Sequence, residues 1–216
     1  MAYAAIWDMD GVLVDTGQDH YQSWVEALAK RSVPLSYEQF SATFGMNNTS
    51  ILKLWLGANT PQSVIDQVGD EKETIFRQLV AGRIQPLPGV CSLLEGLQKA
   101  GFRQAVASSA PQANIDVLLE TTRLRPFFDA VVSASRLPGK PDPAVYLEAA
   151  ARLGVLPAQC VVVEDAVAGV EGARRAGMHC IAVTNTNPAA SLAAAGLVVD
   201  SLEKVSGETF SRLLSL

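Results

Sequence analysis

Tyr3-Ala4-Ala5-Ile6-Trp7-Asp8-Met9-Asp10-Gly11-Val12-Leu13-Val14-Asp15 is the stretch on which the fold turns. Five uncharged residues, 3–7, read as a strand buried on both faces. Side chains along a strand alternate, so Asp8 and Asp10 are expected to leave its carboxyl end on one side. Ligands of open parallel sheets gather at that edge. Two neighbouring acids repel, so the pair calls for a cation, a proton or a charged substrate. Gly11 lets the chain turn directly after them. A bare Asp-x-Asp also fits a solvated turn, and the remainder of the chain has to decide between the two.

From residue 88 onward, short apolar runs at 103–107, 130–133, 160–163, 180–183 and 197–199 alternate with helical patterns at 89–100, 111–121, 143–153 and 166–176. Pro88, Pro111 and Pro143 stand where first helical turns are expected, and Gly101, Gly154 and Gly177 where helices end. Strand and helix in alternation give a parallel sheet wrapped by helices, an α/β, Rossmann-like architecture. Residues 16–83 carry no strand pattern. Helical periodicity runs over 18–30, 37–44, 49–56 and 61–82, with Ser36, Asn48 and Thr60 at or near N-caps. The expected organisation is a core of 1–15 plus 84–216 and an inserted all-helical domain of 16–83. Because the insert leaves just after Asp10, it is placed to close over the sheet edge as a lid. The Ala-rich stretch 189–195 reads as a further helix.

The chain has 216 residues, 49% hydrophobic and 18% charged, enough for a substantial core. Its 17 Lys+Arg against 22 Asp+Glu leave a formal net charge of -5 without any basic run, so neither nucleic acid nor an anionic membrane is the expected partner. Cys91, Cys160 and Cys180 are scattered and lack C-x-x-C spacing, which fits a reducing compartment. With Asp8 so close to the start and no apolar run of membrane-spanning length, a cytoplasmic protein is expected.

Polar clusters follow three more of the expected strands. Ser108-Ser109-Ala110-Pro111 puts hydroxyls ahead of a helix start, where unpaired N–H groups favour a phosphate, although simple capping needs the same residues. Gly139-Lys140-Pro141-Asp142-Pro143 holds a lysine on a stiffened loop, suited to neutralising phosphate charge. Glu164-Asp165 adds two acids, which with Asp8 and Asp10 make an oxygen-rich site for Mg2+. A carboxylate nucleophile, an acid/base carboxyl, Mg2+, a lysine and a hydroxyl suit phosphoryl transfer, with Asp8 attacking phosphorus and Asp10 moving the proton.

In these four signatures the chain resembles the haloacid dehalogenase superfamily, in its phosphatase and β-phosphoglucomutase-like branch with a helical cap. The fourth signature is Val163-Glu164-Asp165-Ala166-Val167-Ala168-Gly169-Val170. The resemblance implies a Rossmann-like core with a cap inserted after the first strand. Asp8 is then nucleophile and metal ligand, and Asp10 is general acid/base, lending its backbone carbonyl to the metal. Ser108, Ser109 and Lys140 would hold the phosphoryl group, and Asp165 with Glu164 would complete the Mg2+ site. Dehalogenases of the superfamily lack the second acid, so Asp10 argues against that activity. Thr16, His20, Gly45 and Asn48 are candidate substrate or cap residues. Where mutases carry a phosphate-gripping arginine three residues past the glycine matched by Gly45, this chain has Asn48. Phe44 stands for a lysine and Ala110 for a serine, while Lys53 is a candidate substitute cation. The expected activity is therefore a Mg2+-dependent phosphatase of a small phosphorylated metabolite, a monomer or weak dimer. A sugar phosphomutase is the runner-up and a non-catalytic phospho-ligand-binding module the reading from another class. A regulatory phosphoacceptor domain is disfavoured, since Asp8 lies on the first strand and such domains carry no helical insert.

Overall fold

The computed structural model describes residues 2–43 and 46–215. Six strands, β1 (Ala4–Trp7), β2 (Arg103–Ser108), β3 (Ala130–Ser133), β4 (Cys160–Glu164), β5 (His179–Val183) and β6 (Leu197–Val199), form one sheet in the order β3-β2-β1-β4-β5-β6. Every neighbouring pair is parallel. The α/β, Rossmann-like expectation holds. The chain order reverses at β1, which pairs with β2 on one side and β4 on the other. The loops leaving β1, β2 and β4 therefore open onto one crevice. Asp8 extends this register, its backbone N–H donating to Val163 O at 3.0 Å.

Both faces of the sheet are covered, which is why its strands read as continuous apolar runs. Ala5, Trp7, Val106, Val161 and Val163 pack with Leu94 and Leu97 of α5 (Val90–Lys99), Ile115 and Leu118 of α6 (Gln112–Thr122), and Phe210 of α9 (Gly207–Leu213). The alternate residues Ala4, Ile6, Ala105, Ala107 and Val162 pack with Tyr146 and Ala149 of α7 (Ala144–Leu153) and Val170 and Ala173 of α8 (Val167–Arg175). Helix α9 carries no strong sequence pattern and has no counterpart among the expected elements. The expected helix at 189–195 is instead a 3-10 turn, Ala189–Leu192. Leu192 is the one buried residue of that stretch, so no apolar face anchors a longer helix.

Between β1 and α5 lie α1 (Gly17–Ala29), α2 (Tyr37–Ser41), α3 (Asn48–Leu56) and α4 (Gln62–Val80). Trp24, Leu28, Phe40, Leu52, Ile65 and Val68 form their own apolar cluster. Further along α4, Phe76 and Val80 join the Trp7 cluster instead. One helix thus contributes to two cores, and its middle residues lie at the junction. Ser36 caps α2 through a capping box with Gln39. Helix α3 is capped by Asn47, which accepts from Ser50 N at 2.9 Å, rather than by Asn48. Helix α2 stops at Ser41, and Phe44 and Gly45 lie outside the described residues.

Candidate active site

Lys140 is the centre of the strand-tip site. Its Nζ donates to Asp8 Oδ1 and to Glu164 Oε1, both at 2.6 Å, and lies 5.3 Å from the Tyr146 ring centroid. Glu164 ends β4 and is fully buried. Its Oε1 also accepts Tyr146 OH at 2.7 Å, and its Oε2 accepts the N–H groups of Asp165 and Ala166 at 2.9 Å each. Both oxygens are thus engaged in holding Lys140 and its own loop. Ser108 ends β2, buried, its Oγ accepting from Ala110 N at 3.1 Å. The predicted residues 8, 108, 140 and 164–165 are all buried or half-buried at this edge.

Burial pushes the Asp8 carboxyl up to about 7; Lys140 pulls against that rise, while the charges of Glu164 and Asp10 add to it. Burial also raises Asp165 well above the ordinary carboxyl range, reinforced by Glu164 and Asp8. Burial opposes charge on Lys140, but Asp8 and Glu164 outweigh it and hold the ammonium well above its usual range. One oxygen each from Asp8, Glu164 and Asp165 lie within 4.8 Å of one another. Three acids around one ammonium leave negative charge that only protons or a cation can balance. That donor set of hard carboxylate oxygens fits a divalent cation such as Mg2+. Gly11, at φ +84°, keeps the floor open, because a Cβ there would overlap the Asp165 carboxylate.

Three residues outside the sequence-derived candidates support this floor. Asn185 Nδ2 donates to Gly11 O at 2.7 Å, Thr186 Oγ1 donates to the Asp165 carboxylate, and Asn187 Nδ2 donates to Asp165 O at 3.0 Å. Their signal is Thr184-Asn185-Thr186-Asn187, a fifth polar cluster directly after an expected strand.

Asp8 and Asp10 divide their partners. The Asp10 carboxylate lies outside the three-acid cluster and faces the helical insert, where Thr16 Oγ1 donates to it at 2.5 Å and His20 Nε2 stands 3.3 Å away. Alternation alone predicts a common side; the chain leaves extended geometry after Trp7 and turns at Gly11, so alternation no longer applies. Burial raises Asp10, but His20, Thr16 and Lys72 overcome it, and the carboxyl sits below its ordinary range. Thr16 stands at the N-cap position of α1 without a side-chain cap, and its carbonyl accepts from His20 N at 2.9 Å, so the two share the first turn as the spacing requires. His20 also stacks on Phe76, ring centroids 4.0 Å apart.

Beyond His20 the network continues through Lys72, Glu73 and Asn114, which the sequence did not single out, and through the candidate Asn48. Lys72 Nζ lies 2.8 Å from His20 Nδ1 and donates to Glu73 at 3.0 Å, with the Trp24 and Phe76 ring centroids each 5.2 Å away. Asn48 Nδ2 donates to Glu73 Oε1 at 2.7 Å, and Asn114 Nδ2 to Glu73 Oε2 at 2.5 Å. Asn48 is thereby turned to Glu73 rather than used as a cap. A cavity of about 570 Å³ lies between the insert and the sheet edge. Ser109, Ala110, Arg136 and Leu137 line its core side, and Trp24, Phe40, Asn48, Asp66, Asp70 and Glu73 its insert side. Lys53 is exposed on α3 and does not line it.

Residues 4–177 match the family model described as haloacid dehalogenase-like hydrolase. The chain belongs to the haloacid dehalogenase-like hydrolases. Hexitol phosphatase B of Escherichia coli (strain K12) is 32% identical over 189 residues, covering 83% of this chain and 82% of that protein. The crystal structure of β-phosphoglucomutase from Clostridium difficile superimposes with a TM-score of 0.89 at 25% identity, covering 100% of this chain and 98% of that one. The chloroplastic Suppressor of Quenching 1 of Arabidopsis thaliana is 33% identical over 213 residues, 94% of this chain but 20% of that protein. Against that protein the chain spans about a fifth of the relative's length. No helix is long and apolar enough to cross a membrane among the described residues.

Proposed function

We propose that this haloacid dehalogenase-like hydrolase is a Mg2+-dependent phosphatase acting on a small phosphorylated metabolite through an aspartyl-phosphate, with the helical insert as its cap. The observation that carries the reading is Lys140 bridging Asp8 and Glu164 at 2.6 Å beside Asp165. That arrangement leaves Asp8 poised for attack and Lys140 poised for phosphoryl charge. Asp8, Asp165 and the Asp10 backbone carbonyl would hold Mg2+, with Glu164 adjoining. Bound there, Mg2+ offsets the repulsion between Asp8 and an anionic phosphoryl group.

In the first half-reaction an Asp8 carboxylate oxygen bonds to phosphorus while the bond from phosphorus to the leaving oxygen breaks. Asp10 gives that oxygen its proton. In the second, water attacks phosphorus, its proton passes to Asp10, and the Asp8–phosphorus bond breaks to free inorganic phosphate. The lowered Asp10 carboxyl favours the ionised form that receives the water's proton, and the proton given in the first half-reaction is carried against that preference. Ser108, Ser109 and Lys140 position the phosphoryl oxygens, and the insert over the cavity excludes bulk water.

A phosphomutase must hold a second phosphate, and this supports hydrolysis over isomerisation here. The Asn48 amide is committed to Glu73, and on the insert wall Asp66, Asp70 and Glu73 outnumber Lys72, which is itself paired with Glu73. The mutase remains the alternative because a β-phosphoglucomutase shares the fold. A screen of sugar phosphates and nucleotides with Mg2+, including glucose 1-phosphate with a bisphosphate primer, decides. Inorganic phosphate release that EDTA abolishes supports the phosphatase. Isomerised sugar phosphate without release supports the mutase, and no turnover of any ester rejects both.

A further inference from the structure

Glu73 sits at the middle of α4, at the junction between the insert's cluster and the core cluster. It is 5% exposed, and its partners Lys72 and Asn114 are 2% and 0% exposed. A buried carboxylate needs donors, and Glu73 draws them from three segments. Oε1 accepts from Lys72 and from Asn48, the first residue of α3, while Oε2 accepts from Asn114 in the first turn of α6. Asn114 is held from its other end by Arg77 Nη1 at 3.0 Å. Helix α6 follows directly on the Ser108–Pro111 loop, so one carboxylate connects the phosphoryl-binding loop to the insert. The same carboxylate fixes Lys72, whose Nζ reaches His20 Nδ1 at 2.8 Å. A donor on Nδ1 keeps the neutral ring's proton on Nε2, the nitrogen that faces Asp10.

We propose that Glu73, with Asn114, is a positioning residue for proton transfer: it sets Lys72 against His20 and thereby the orientation of Asp10, with the insert seated on α6. This rests on the phosphatase reading only in naming proton transfer as the step affected. Loss of the tie leaves Asp8, Lys140 and Asp165 untouched, so attack on phosphorus persists, while protonation of the leaving oxygen falters in the first half-reaction and deprotonation of the water in the second. Esters then separate by leaving group. p-Nitrophenolate departs without a proton, whereas an alkoxide needs one.

The test compares wild type, Glu73→Gln and Asn114→Ala, each shown folded by circular dichroism. In Glu73→Gln the new side-chain amide would present an N–H toward one of the donors now facing the carboxylate. Release of the leaving group in the first turnover, ahead of water attack on the phosphoryl-enzyme, is measured with enzyme in excess on p-nitrophenyl phosphate and on glucose 6-phosphate with Mg2+. Nitrogen-15 signals of the imidazoles are recorded at about pH 8.5, two units above the ordinary histidine pKa. The chain has 2 histidines, and His179, exposed at the start of β5, is the internal control. Expected in both variants are a loss of the Nε2–H pattern at His20 alone and a fall of about tenfold or more in the first-turnover rate on the sugar phosphate. The fall on the nitrophenyl ester should be less than about threefold, since its leaving group needs little acid assistance. Unchanged His20 signals with equal losses on both esters overturn the proposal. If wild type hydrolyses neither ester, the His20 signals alone decide for or against Glu73, and the phosphatase reading is judged by the wider screen of esters.

Discussion

Among the described residues, Lys140 and Lys72 both have side chains withdrawn from solvent, and they are held in opposite ways. Lys140 lies between two carboxylates, Asp8 and Glu164, and is kept firmly charged. Lys72 contacts one carboxylate, Glu73, and a histidine, with two aromatic rings nearby, and burial draws its proton affinity down. The first is the counterion of an acidic floor and the second a hydrogen-bonding strut in an apolar box. Removing each should therefore have different consequences. A buried ammonium is defined by how many charges it answers, not by its burial.

The sharpest way to break the contrast begins at the floor. Asp8→Asn should lower Mg2+-dependent phosphate release by roughly 10⁴-fold or more, as losing a nucleophile does; full turnover in that variant removes the nucleophile assignment. Lys140→Met leaves Asp8 and Glu164 without their shared cation. Breaking a buried pair in this manner costs about 3–5 kcal/mol. Urea unfolding should show that loss in metal-free protein, with added Mg2+ restoring part of it. Lys72→Met should cost less, about 1–3 kcal/mol, because Glu73 keeps two amide donors. If the two lysine variants lose equal stability and Mg2+ rescues neither, the contrast is wrong.

A smaller effect lies at the contact between insert and core. A Cβ at Gly139 would come 2.8 Å from Asn47 Nδ2, whose side chain is already committed to capping α3. Gly139→Ala should therefore raise KM several-fold while leaving thermal stability within about 0.5 kcal/mol, the range of ordinary surface changes. The smallest expected effect is on pH dependence. Burial works against the charge of Glu73, yet Lys72, His20, Asn48 and Asn114 hold it below its reference value of 4.5. Its contribution to stability is therefore present above that value and lost as pH falls through the lower folded pKa. The stability gap between wild type and Glu73→Gln should narrow below about pH 4.5 in urea titrations; a gap that widens on acidification would count against a charged Glu73.

Lys140 is legible in the sequence because its neighbours are informative. It stands among prolines and a glycine after an expected strand, where a stiff loop at a sheet edge is implied. Lys72 is not. Asp70-Glu71-Lys72-Glu73 reads as the solvated face of an amphipathic helix, and in isolation Glu71 and Lys72 look alike. Yet Glu71 pairs with Arg31 near the surface while Lys72 is buried. The strands are legible to within a residue or so, since both faces are covered and their apolar runs are unbroken. The helix expected at 189–195 does not form because alanine favours a helix locally, while only packing supplies what stabilises one.

The amino-acid order alone determined the parallel α/β core, the helical insert after the first strand, and the candidate residues Asp8, Asp10, Ser108, Lys140, Glu164 and Asp165. Those depend on periodicity and turn chemistry, which act over a few neighbouring residues. Only the folded chain decided that Asp8 and Asp10 face different partners, that Glu164 holds Lys140, and that His20, Lys72, Glu73 and Asn114 form one buried network. Those partners lie 132 residues apart for Lys140 and Asp8 and 52 apart for Lys72 and His20. Whether a charge is buried depends on every segment packed around it, and no local window of sequence contains that sum.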